Sequence, residues 1–145
     1  MTADQAKILI VEDDPDTADS VKLVLESEGY RTVHAPNAVD GMEKLRAERP
    51  DLVLLDVMMP TGTEGFHFVW DLRKDGDAAL RDTPILIMSA IHQTTRDRFY
   101  PDQSDKEYAP YEYLPVQGFL DKPLDFTTLL GEVRLALDRK GPNPA

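Results

Sequence analysis

Short, unbroken apolar runs, KILIV (7–11), DLVLLD (51–56) and TPILIMS (83–89), stand out of an otherwise polar chain. Strands that read as continuous aliphatic runs, without polar alternation, belong in a parallel sheet covered on both faces. YRTVH (30–34) and GFLDK (118–122) complete the strand candidates. Amphipathic stretches with recognisable ends lie between them. Asp14 is placed to cap a helix that has Pro15 as its first residue, Ala18, Val21 and Leu25 on one face, and Gly29 as a stop. Asn37 is placed to cap a second, with Val39, Met42 and Leu45 expected inward and Pro50 closing the unit. A third is expected over 65–75, carrying Phe66, Val69 and Leu72, and a last over 125–139, carrying Phe126, Leu129, Leu130, Val133 and Leu137. The order is βαβαβαβ, an irregular segment, then βα. Such alternation predicts an open α/β sheet with right-handed crossovers, whose ligands sit outside the carboxyl ends of the strands.

The 145 residues suit one domain, with a core over about 7–139, an unusually long segment over about 91–117 and a flexible tail at 141–145. A net charge of −11 argues against direct nucleic-acid binding through a broad basic surface, which needs clustered Lys and Arg to replace counterions. Output through protein contacts is expected instead. The absence of cysteine removes disulfides, zinc-thiolate sites and thiol chemistry. No signal-peptide pattern and no apolar run of membrane-spanning length occurs, so a cytoplasmic protein without a membrane partner is expected.

The strand ends decide where to look for chemistry. Glu12 and Asp13 follow the first strand, Asp56 ends the third, Ser89 the fourth, and Lys122 follows the fifth. In a parallel sheet these ends point the same way. Three carboxylates converging on one edge repel one another and raise each other's pKa values unless a cation neutralises them. A hard divalent ion, Mg2+ or Mn2+, is the natural resolution. Together with Lys122 it brings the three acidic charges to neutrality. Such a set is poised for a phosphoryl group, with the ion meeting one oxygen, Lys122 another and the Ser89 hydroxyl a third. Asp56 is then the candidate nucleophile, forming an acyl phosphate. Each part alone has a plainer reading: an acidic pair before a helix complements its dipole, an aspartate after a strand forms turns, and Lys-Pro is a common dipeptide. Their joint placement favours the chemical reading.

ILIVEDDP, DLVLLDVMMP, TPILIMSA and GFLDKPLD, in this order, resemble the receiver domain of two-component response regulators, stand-alone and CheY-like, from about Lys7 to Leu137. The resemblance implies a five-stranded doubly wound, flavodoxin-like parallel sheet in the order 2-1-3-4-5. It places the phosphoacceptor at Asp56, the direct metal ligand at Asp13 and an acidic partner acting through water at Glu12. The backbone carbonyl of Met58 would ligate the metal, Ser89 would be the switch hydroxyl, Phe119 the switch aromatic and Lys122 the phosphate-pairing lysine. A cis peptide bond between Lys122 and Pro123 would set that lysine over the site. The implied activity is transfer from the phosphohistidine of a sensor histidine kinase or histidine phosphotransfer protein to Asp56, then hydrolysis. The signal would pass to a downstream protein target or along a phosphorelay, with homodimerisation left open. Phosphorylation adds about one negative charge, and Ser89 and Phe119 are expected to move in response.

The chain departs from the family at two places. TGTE (61–64) supplies one residue more than usual before the third helix, beside the phosphorylation site, which bears on the lifetime of the phosphorylated state. The segment IHQTTRDRFYPDQSDKEYAPYEYLPVQ (91–117) is roughly ten residues longer than the modest helix and turn of the family. It carries Tyr100, Tyr108, Tyr111 and Tyr113 among prolines. These tyrosines either cover their own backbone or form a partner surface, and the second is preferred, because long loops in compact domains are often functional. His34, His67 and His92 lack metal-like spacing and read as surface residues, and Trp70 reads as packing. An interaction module acting without phosphorylation is the alternative. A phosphatase with an aspartyl nucleophile is disfavoured by Met58, which stands where such enzymes carry a second aspartate, and by the lack of a cap domain. A flavin-binding fold lacks its phosphate loop after the first strand.

Overall fold

A computed structural model describes residues 6–56, 64–89 and 116–139, apart from the side chains of residues 64–66, 89, 121 and 139. The strands are β1 (Lys7–Val11), β2 (Arg31–Ala35), β3 (Leu52–Asp56), β4 (Ile85–Ser89) and β5 (Gly118–Asp121). The helices are α1 (Pro15–Ser27), α2 (Ala38–Glu48), α3 (Glu64–Arg73), α4 (Ala78–Arg81) and α5 (Phe126–Arg139). The strands form one sheet in the order β2-β1-β3-β4-β5, as expected. Every pairing is parallel.

Successive side chains of a strand leave opposite faces of the sheet. Leu9, Val11, Val53, Leu55, Ile85 and Ile87 therefore pack on one side with Leu45, Phe68, Val69, Leu72 and Leu80. Ile8, Ile10, Leu52, Leu54, Leu86 and Met88 pack on the other with Ala18, Val21, Leu25, Leu129 and Val133. Two buried faces explain why the strands read as unbroken apolar runs. Each fully buried Leu or Ile is worth about 1.5–3 kcal/mol relative to its exposed state.

The helix ends follow the sequence signals. The Asp14 carboxylate accepts from the Thr17 N–H at 3.3 Å, and Pro15 opens α1. Gly29 follows the helix at φ 94°, a left-handed conformation that glycine adopts without a Cβ clash. The Asn37 side chain accepts from the Asp40 N–H at 2.8 Å, and α2 closes on Arg49 at φ 47°, just before Pro50.

Two expected core positions are corrected. Val39 is 71% exposed: α2 turns Gly41 and Leu45 inward, with Met42 partly buried, and Val39 stands about 200° round the helix from Gly41. Phe126 is 42% exposed, because it opens α5 above a cavity rather than over the sheet. Strand boundaries move by one or two residues, and α3 ends at Arg73 rather than at Asp75. The short α4, capped by Asp77, lies where a connection was expected. Phe66 as a packing residue, residues 61–63 of the insertion, His92, most of 91–117 and the tail at 141–145 lie outside the described residues.

Candidate functional site

β1 and β3 are neighbours, with Val11 opposite Leu55. Glu12, one residue past β1, and Asp56, the last residue of β3, thus meet at the carboxyl edge of the sheet. Both are buried: Glu12 is 0% exposed and Asp56 2%. Lys122, just past β5, reaches into this pair. Its Nζ donates to Glu12 Oε1 at 2.5 Å and lies 3.5 Å from Asp56 Oδ2. The Lys122–Pro123 peptide bond is cis. The second Glu12 oxygen, Oε2, accepts from the Asp14 N–H at 3.2 Å.

Asp13 completes the acidic set from the exposed side, and carboxylate oxygens of Glu12, Asp13 and Asp56 all lie within 4.8 Å of one another. Burial pushes the Glu12 carboxyl up to about 7, aided by its hydrogen bond with Asp56 and opposed by Lys122. Burial alone would lower the Lys122 ammonium, yet its contacts with Glu12 and Asp56 outweigh that and leave its pKa raised. One lysine is thus shared between two buried carboxylates with a third at their edge. An all-oxygen donor set with excess negative charge is the chemistry a hard divalent ion suits. The residues fit such an ion.

Of the other expected site residues, Ser89 ends β4 one position beyond Met88, the register partner of Asp56, and only its backbone is described. Phe119 lies on β5 opposite Ile87 and packs, partly buried, against the core face carrying α2 and α3. Met58 and Tyr100, Tyr108, Tyr111 and Tyr113 lie outside the described residues. Sequence reasoning missed one residue beside the site. His34 is exposed, as expected, but its Nε2 lies 2.8 Å from the Glu12 carbonyl oxygen. The signal that could have found it is register, since β2 flanks β1 and sets His34 opposite Ile10.

The family described as "Response regulator receiver domain" matches residues 8–100. Protein PilH of Pseudomonas aeruginosa is 33% identical over 132 residues, which cover 91% of this chain and 98% of PilH. Transcriptional regulatory protein CseB of Streptomyces coelicolor is 30% identical over 139 residues, covering 96% of this chain but 52% of CseB, so the chain spans about half of that relative. Among solved structures, a sensor protein from Polaromonas sp. JS666 superposes with a TM-score of 0.76 at 27% identity, covering 92% of this chain and 97% of that one. Chemotaxis response regulator CheY4 of Vibrio cholerae superposes with a TM-score of 0.70 at 26% identity, covering 90% and 98%. With the sheet order, the acidic edge and the lysine that crosses it, these likenesses mean that the chain belongs to the response regulator receiver domain family.

Proposed function

We infer that Asp56 accepts a phosphoryl group, and that the chain signals by the change this makes at its surface. The observation that carries the reading is the buried Asp56 carboxylate at the end of β3, beside Glu12 and 3.5 Å from the Lys122 ammonium. An Asp56 oxygen attacks phosphorus as the bond from phosphorus to the donor's leaving nitrogen or oxygen breaks, and the leaving group keeps that electron pair. Lys122 neutralises charge on the transferring oxygens, and the Ser89 hydroxyl donates to another. Asp13 and Asp56, with the Met58 carbonyl and with Glu12 acting through water, are the groups to hold Mg2+ or Mn2+. When bound, that ion supplies further charge neutralisation at the phosphoryl oxygens. Hydrolysis of the acyl phosphate by water resets the chain.

Family membership supports a histidine kinase or histidine phosphotransfer protein as donor and a protein as the receiver of the signal. We read residues 7–139 as one receiver unit acting in the cytoplasm, a reading compatible with the lack, among the described residues, of any helix long and apolar enough to cross a membrane. The tyrosines of the long segment are the proposed partner surface. Phe119, already leaning on the core, would move inward as Ser89 turns to the phosphoryl group.

The test is intact mass after incubation with acetyl phosphate, with and without magnesium, for the wild type and Asp56→Asn. A gain of one phosphoryl group that requires both magnesium and Asp56 is expected. No gain in the wild type, or an equal gain in Asp56→Asn, refutes the assignment and favours an interaction module that works unphosphorylated.

A further inference from the structure

Glu12 is gripped from several directions, and one grip comes from outside the acidic cluster. Its N–H donates to the Ala35 carbonyl at 3.0 Å, continuing the β1–β2 ladder past its last pair. Its carboxylate is held by the Asp14 N–H and by Lys122. Its own carbonyl is met at 2.8 Å by His34 Nε2, from the edge strand β2. That carbonyl belongs to the peptide joining Glu12 to Asp13. Asp13 is exposed, has a carboxylate oxygen within 4.8 Å of those of Glu12 and Asp56, and takes its backbone nitrogen from that peptide.

We propose that His34 is a positioning residue for the metal site: by donating to the Glu12 carbonyl it fixes the Glu12–Asp13 peptide and thereby aims Asp13 at the cluster. This rests on the reading of Glu12, Asp13 and Asp56 as a cation site. A carbonyl oxygen only accepts, so Nε2 must carry a hydrogen, in the neutral Nε2–H tautomer or in the imidazolium alike. The contact therefore does not depend on the charge of the ring. Groups that hold metal ligands in place tune the affinity, and their loss typically costs about 10–100-fold. His34 is exposed and contributes no core packing, so its replacement tests the hydrogen bond rather than the fold.

The test is calorimetric titration with magnesium chloride of the wild type, His34→Ala and His34→Gln, together with the backbone amide resonance of Asp13 in each. Loss of the donor in His34→Ala is expected to weaken magnesium binding about tenfold, at the low end of such effects, and to shift the Asp13 amide. His34→Gln, whose side-chain N–H can reach the same carbonyl, is expected to stay within about twofold of the wild type. Unchanged affinity in His34→Ala, or an equal loss in both variants, overturns the proposal. The titration needs no phosphoryl transfer. A protein that binds magnesium with this pattern yet never phosphorylates Asp56 would sink the reading above and leave the role of His34 standing. A wild type that binds no magnesium overturns both.

Discussion

Among the described residues Lys122 is the cation set against two buried carboxylates, with its Nζ 2.5 Å from Glu12 and 3.5 Å from Asp56. Removing one partner of a wholly buried ion pair costs about 3–5 kcal/mol. Lys122→Met is expected to cost less than that in metal-free protein, because Glu12 can neutralise itself with a proton. Denaturant unfolding measures the loss, and added magnesium should recover more stability in the variant than in the wild type. The same proton gives a pH dependence. The Glu12 carboxyl is raised from 4.5 to about 7 in the folded chain, so between those values the folded state holds a proton that the unfolded state has released. The contribution of Glu12 to metal-free stability is therefore full below the lower value, falls as pH rises toward about 7, and is flat beyond it. Magnesium favours the charged form, so its affinity should rise by up to about tenfold per pH unit below that point and then level. Glu12→Gln should flatten this profile in titrations across the range. Glu12, Asp56 and Lys122 were legible in the sequence because each stands at the end of a recognisable strand, and strand ends of a parallel sheet converge. His34 was not, because its bond to Glu12 depends on which residues of β2 face which of β1.

At the scale of elements, α2 and α3 approach closely at Gly41. A Cβ built there would lie 3.1 Å from Phe68 Cε2 and 3.1 Å from Val11 Cγ2. Val11 is buried in the sheet and cannot yield cheaply. Overpacking typically costs about 1–3 kcal/mol, against a gain of at most about 1 kcal/mol from replacing a helical glycine. Gly41→Ala should therefore lower the midpoint of denaturant unfolding, whereas Val39→Lys on the exposed face of the same helix should change stability by no more than about 0.5 kcal/mol. At the opposite end of the sheet, Arg73 ties several elements together. Its guanidinium donates to the Arg81 carbonyl at 2.7 Å and the Thr83 carbonyl at 2.6 Å, and reaches the Gln117 side chain at 3.4 Å. Gln117 in turn accepts from the Ile85 N–H at 2.6 Å, so α3, the start of β4 and the approach to β5 share one polar knot. Arg73→Ala should cost about 1–3 kcal/mol by leaving those acceptors without their donor. The strands were legible because burial on both faces leaves no polar alternation to confuse them. Helix faces were less so: Val39 and Phe126 sit in first turns, where the apolar pattern has too few residues to fix its phase. α4 spans Ala78–Arg81, too short to show a period at all, and only tertiary packing of Leu80 announces it.

For the molecule as a whole, the net charge of −11 and the acidic edge act in the same direction. Folding brings Glu12, Asp13 and Asp56 together against their repulsion, so an ion that binds only the folded chain stabilises it by mass action. At a free concentration one hundred times Kd the gain is about 2.7 kcal/mol. A thermal melt in magnesium should rise accordingly, and Asp13→Asn should blunt the rise. The fold itself was legible, because a βα alternation of this length admits few topologies and the crossover rule selects among them. The measurement that bears most directly on function is chemical trapping of the phosphorylated residue. After incubation with acetyl phosphate and magnesium, borohydride reduces an aspartyl phosphate to homoserine, and peptide sequencing by mass spectrometry locates it. Homoserine at position 56 and nowhere else is the expected result. Homoserine at another aspartate, or none in a sample that has gained a phosphoryl group, would contradict Asp56 as the acceptor.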